Sequence, residues 1–92
     1  MKVRVFGTLR IVVGDQKHVE VRVADGASAR ELLDQLILAY PGLEKKVLRQ
    51  GGELQGGVGI FVNGRSVRFL DGLDTAIHEG DEVALFPPVG GG

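Results

Sequence analysis

One stretch of this chain has a helical period, and it lies between segments that alternate like strands. Ser28-Ala29-Arg30-Glu31 has the spacing of a capping box, in which hydroxyl and carboxylate satisfy orphan backbone donors. Ala29, Leu32, Leu33, Leu36, Ile37 and Tyr40 then recur at i, i+3 and i+4, an apolar stripe about three turns long. Pro41-Gly42 stops it, because proline cannot continue a helix. A single striped helix must bury its stripe against something, and strands are what the chain offers. The expected architecture is a helix lying across one face of a sheet.

Lys2-Val3-Arg4-Val5-Phe6 alternates, with Val3 and Val5 on one face and Arg4 and Phe6 on the other. Residues 10–16 lead into the turn signal Gly14-Asp15, and residues 18–23 alternate again. This predicts an antiparallel hairpin with Val19, Val21 and Val23 inward, broken by Asp25-Gly26. Beyond the helix, residues 43–48 have room for one further helical turn, and a loop holding Gly51-Gly52 and Gly56-Gly57 follows. Asn63-Gly64 then separates residues 58–62 from residues 65–69, the strongest short hairpin signal, since both central residues need positive φ. A two-residue loop sets the register Val62 with Arg65, Ile60 with Val67 and Val58 with Phe69. Val58, Ile60, Val67 and Phe69 are therefore expected inward and Phe61 outward. Residues 71–77 read as turn-like, Glu79-Gly80-Asp81 as a turn, and residues 82–86 as the final strand.

Composition removes whole classes of chemistry. With no cysteine, disulfides, thiolate metal sites and catalytic thiols are excluded. A net charge of −1 with both signs interspersed leaves no footprint for nucleic acid or an anionic membrane. The start, Met1-Lys2-Val3-Arg4, is not a signal peptide and no apolar run reaches membrane-spanning length, so the expected setting is soluble and cytoplasmic. Residues 1–92 read as a single domain, without repeat or linker. His18 and His78 stand alone, and no metal site is expected. Gly51 to Gly56 has the glycine spacing of a phosphate loop, but Gly57-Val58 follows where Lys-Ser/Thr is needed. Arg65 and Arg68 read as solubilising an edge strand, Lys45 and Lys46 as a solvated helix face, and the acids from Asp71 to Glu82 chiefly as turn residues.

The candidate functional stretch is the C-terminus. Residues 82–86 run into Pro87-Pro88, which cannot donate to a ladder and leave the sheet as a stiff stub. After Val89 come Gly90-Gly91-Gly92, which have no side chains to pack. Residues 87–92 are thus expected to protrude as a flexible tail. Such a tail is thin and free in φ, with an unhindered carboxylate. It suits a chain end threaded into another protein's active site. Glycines at a terminus taken alone fit a frayed end equally well.

Val62-Asn63-Gly64, and the run from Gly80-Asp81-Glu82 through Pro87-Pro88-Val89 into Gly91-Gly92, carry a resemblance. Along its length the chain resembles the MoaD/ThiS family of ubiquitin-like sulfur carriers. Val67-Arg68-Phe69 with residues 72–77 is most similar to the cysteine-biosynthesis carriers of that family. The resemblance implies an α+β, β-grasp fold: a mixed five-stranded sheet with one main helix packed across one face. It implies a protein co-substrate rather than an enzyme. The Gly92 carboxylate would be adenylated by an E1-like adenylyltransferase/sulfurtransferase using ATP and magnesium. Conversion to a thiocarboxylate would follow, for delivery to a sulfur-accepting enzyme making cysteine, molybdopterin or a related thio-compound. No cofactor is implied on this chain itself. Gly91 would allow close backbone approach, while Pro87, Pro88, Val89 and Gly90 set the tail's reach and direction. Gly90 stands where relatives often have alanine, serine or threonine, which would only make the tail more mobile. A metalloprotease that processes the tail is a third partner class. The alternative is a modifier joined through Gly92 to lysines of target proteins. The free carrier is expected to be monomeric.

Strand parity adds one expectation about docking. In a β-grasp sheet the first, last and third strands are neighbours. Phe6, Phe86 and Phe61 would then form an exposed aromatic patch opposite the helix, at the base of the tail, where partners dock.

Overall fold

The computed structural model describes residues 1–88; Val89 to Gly92, and with them the expected roles of Val89 and the terminal glycines, lie outside the described residues. The elements are β1 (Lys2–Val5), α1 (Leu9–Val12), β2 (His18–Glu20), β3 (Ala27–Ser28), α2 (Ala29–Ala39), α3 (Leu43–Val47), β4 (Gly59–Val62), β5 (Arg65–Ser66), β6 (Ala76–Ile77) and β7 (Val83–Phe86). The main sheet runs β2-β1-β7-β4-β5. Its β1–β7 pair is parallel and the other pairs are antiparallel, so the sheet is mixed. This is the β-grasp arrangement that the resemblance implies.

The capping box forms as its spacing predicts. The Glu31 N–H donates to Ser28 Oγ at 3.1 Å and the Ser28 N–H donates to Glu31 Oε1 at 3.2 Å. α2 then buries Ala29, Leu32, Leu33 and Leu36 against Val3, Val5, Ile60, Val83 and Leu85 in one core cluster. Burying a leucine stabilises by roughly 1.5–3 kcal/mol, which holds in place a helix too short to persist alone. Ile37, Tyr40 and Val23 pack at the margin, partly buried.

Two stretches depart from the sequence expectation. Leu9–Val12 forms a short helix between β1 and β2, a turn the alternation did not signal. The hairpin after Asn63-Gly64 has the expected turn, with φ of 52° and 83°, and Val62 does face Arg65. The ladder stops one step later, at Phe61 and Ser66. Ser66 Oγ accepts from the Arg68 N–H at 3.2 Å and starts a tight helical turn, Val67–Phe69. The Arg68 guanidinium then donates to the carbonyls of Gln55 and Val58 at 2.8 and 2.9 Å. Val67 stays buried, but Phe69 swings out to 89% exposure and does not pair with Val58. Arg68 therefore ties the glycine loop to this turn rather than guarding a sheet edge. β3 and β6 pair with each other outside the main sheet. No helix among the described residues is long and apolar enough to cross a membrane.

Candidate functional site at the base of the tail

The strand that leads to the tail lies in the middle of the sheet. β7 is bonded to β1 on one side and to β4 on the other, and the Phe6 N–H donates to Leu85 O at 3.0 Å. Asn63 fixes where this strand begins. Its side-chain amide donates to Asp81 Oδ1 at 3.0 Å and its Oδ1 accepts from the Glu82 N–H at 2.9 Å. Asp81 also accepts from the His78 N–H at 2.7 Å. These bonds, the His78 N–H first and Asn63 second, hold the Asp81 carboxyl below the ordinary carboxylate range.

At its other end the strand passes into Pro87 and Pro88, both half-buried. Two glycines with positive φ flank them. A Cβ on Gly7 (φ +59°) would stand 2.7 Å from Pro87 Cγ, and one on Gly57 (φ +85°) would stand 3.1 Å from Pro88 Cβ and 3.3 Å from its Cα. The prolines therefore sit in a cradle whose two sides carry no side chains. This fixes where the tail leaves the body.

Beside the cradle, alternation turns Phe6, Phe86 and Phe61 away from α2. The three rings meet in one row across β1, β7 and β4. Phe6 and Phe86 are stacked at 4.3 Å with planes 6° apart, and Phe61 meets Phe86 edge-on at 5.2 Å. Gly59 lies under the last ring, since a Cβ there would stand 2.8 Å from Phe61 Cε1. The Arg4 and Arg10 guanidinia lie 5.2 and 5.5 Å from the Phe6 centroid, and Arg10 Nε donates to Val5 O at 2.7 Å. Each aromatic pair stabilises by about 0.5–1.5 kcal/mol and each exposed cation–π contact by about 0.5–1 kcal/mol. The rings are half-buried rather than exposed as parity alone implied, because they pack on one another and Arg4 and Arg10 lie over Phe6.

Alternation misplaced Phe69. With Phe61, Arg65 and Leu70 it borders an open hollow of about 560 Å³ at the far end of the aromatic row. Ser66 as a turn-initiating cap was the signal available in the sequence. The cradle glycines are the other feature that alternation missed, because their importance depends on where the prolines pass. Val89, Gly90, Gly91 and Gly92 lie outside the described residues, so the geometry speaks to the base of the tail.

Comparison with known proteins supplies the context for this arrangement. The profile of the ThiS family matches residues 3–92. The chain is 42% identical over 92 residues to small archaeal modifier protein 3 of Haloferax volcanii, covering 100% of this chain and 98% of the relative. It is 37% identical over 86 residues to the sulfur carrier protein CysO of Mycobacterium tuberculosis, covering 91% of this chain and 89% of the relative. Among solved structures, a chain of the Amycolatopsis orientalis BexX/CysO complex superimposes with a TM-score of 0.84 at 28% identity, covering 99% of this chain and 98% of that one. The two relatives are named as a modifier and as a carrier, not as catalysts.

Proposed function

This chain belongs to the ThiS family, a family of sulfur carriers and ubiquitin-like modifiers, and from that we propose that it carries sulfur on its terminal carboxyl group. The Gly92 carboxylate attacks the α-phosphorus of ATP, held with magnesium by an E1-like partner, and pyrophosphate leaves. A carboxylate resists nucleophiles because of its charge, and the acyl-adenylate removes that obstacle. A persulfide sulfur of the partner adds to the acyl carbon and AMP leaves. Cleavage of the S–S bond by a second partner thiol frees a thiocarboxylate on Gly92. That sulfur then passes to a biosynthetic enzyme.

The observation that supports this reading is the cradle. Pro87 and Pro88 are gripped between Gly7 and Gly57 while the chain beyond them is Val89-Gly90-Gly91-Gly92. A fixed base with a thin end is what insertion into a narrow active site requires. The aromatic row beside the base is the docking face in this reading, and a similar chain was solved in the BexX/CysO complex of Amycolatopsis orientalis. A second reading, conjugation of Gly92 to target lysines through the same adenylate, is favoured by the identity to a small archaeal modifier protein.

Intact mass spectrometry after incubation with an activating enzyme of the same organism, ATP, magnesium and a sulfur donor tests both. The expected product has one oxygen replaced by sulfur. Lysine-linked conjugates instead would favour the second reading, and an unchanged mass would remove both.

A further inference from the structure

Sequence alone makes Lys45 and Lys46 a solvated helix face, but the fold places them beside the tail. Both line an open groove of about 340 Å³ whose lining also includes Pro87 and Pro88. Thr8 and Gln55 border it as well, and among the described residues no carboxylate does. Among the described residues the close contacts between basic and acidic groups join Met1 to Glu20 and His78 to Asp25, and neither Lys45 nor Lys46 is paired with a carboxylate of those residues. The backbone that carries them is anchored. Gln55 Nε2 donates to Lys45 O at 3.0 Å and to Leu48 O at 3.4 Å, and the Gln55 N–H donates to Val47 O at 2.8 Å. Leu43 and Val47 of α3 are buried. The chain as a whole has a net charge of −1, so this groove is a positive surface on a slightly acidic molecule.

A partner that takes the tail into an active site must close around the chain that follows Pro88, and its channel mouth then seats against the groove that Pro88 borders. Seating covers ammonium groups, and covering a charge without an opposite charge is unfavourable. We propose that Lys45 and Lys46 form an electrostatic docking surface for a carboxylate-bearing rim around the partner's tail channel. The proposal rests on the carrier reading and adds the chemistry of the partner that fits it. Charges at the rim of an interface act chiefly on encounter rate and salt dependence. The lysines therefore govern capture of the carrier, not the acyl chemistry.

The test is ATP–pyrophosphate exchange by an activating enzyme of the same organism, with the full-length chain as substrate. The double variant Lys45→Glu/Lys46→Glu is expected to raise KM for the carrier about tenfold at low ionic strength with kcat unchanged, and to flatten the rise of KM with salt. Lys45→Arg/Lys46→Arg restores both, and Lys17→Glu, an exposed lysine outside the groove, leaves both as in the parent chain. Should the Glu pair fail to fold, Lys45→Gln/Lys46→Gln reads the same KM without charge reversal. A Glu or Gln pair indistinguishable from Lys17→Glu overturns the docking surface while leaving the carrier reading intact. Absence of exchange with the parent chain overturns the carrier reading, and the docking surface with it.

Discussion

Phe86 stacks on Phe6 and receives the edge of Phe61, so one residue joins the three strands on their outer face. Aromatic anchors at an interface centre cost about 2 kcal/mol or more when truncated. Phe61→Ala is accordingly expected to weaken binding to the activating partner about thirty-fold, with the melting temperature lowered by only a few degrees. Phe86→Ala should weaken binding at least as much and lower the melting temperature further, since it forfeits two ring contacts worth about 0.5–1.5 kcal/mol each. Titration calorimetry and thermal unfolding of the two variants decide it; normal binding by either would move the docking face elsewhere. Parity placed these three rings because each sits in, or directly after, a strand whose alternation is uninterrupted, so local pattern and global position agree. Phe69 lies in a pattern just as regular and went astray. What decided it was Arg68 reaching carbonyls 10 and 13 residues upstream, and no alternation encodes a partner at that distance.

At the level of elements, β7 is set by the turn before it and by the cradle after it. Asn63 was legible from sequence as a residue accepting positive φ, and it has that φ of 52°. Its further role, bonding the Asp81 carboxylate and the Glu82 N–H, was not, since it depends on two turns meeting in space. Asp81 has its folded pKa lowered from an ordinary value of 3.8. The group thus contributes stability that is in place above that ordinary value and is lost as pH falls through the lower folded value. Asp81→Asn should be less stable than the parent at neutral pH and lose less stability below about pH 4. Melting temperatures measured from neutral pH down to about pH 3 check this; parallel acid limbs for the two chains would refute it. The cradle itself was invisible to sequence reading, because Gly7 and Gly57 lie 50 residues apart and acquire a purpose only when the prolines pass between them.

For the whole molecule, the carrier reading divides labour between a packed body and an end whose last three residues have no side chains. Among the described residues the core cluster extends no further than Leu85. Deleting Gly91-Gly92 is therefore expected to leave the melting temperature unchanged and to abolish adenylation, because the reacting carboxyl retreats by about 7 Å at ~3.5 Å per residue. Gly91→Val should also block transfer at unchanged stability, through a wider and stiffer tail. Pyrophosphate exchange at the parent rate by either variant would contradict the carrier reading, and a large fall in melting temperature would mean that the tail packs on its own body. The central place of β7 has a mechanical consequence. A partner that tugs on the tail pulls along the axis of a strand bonded on both flanks, in parallel to β1 and antiparallel to β4. Such a load is borne in shear by both ladders together, whereas an edge strand such as β5 would peel one bond at a time. In the carrier reading, the chain is drawn into a tight channel by an end whose strand is held by two ladders.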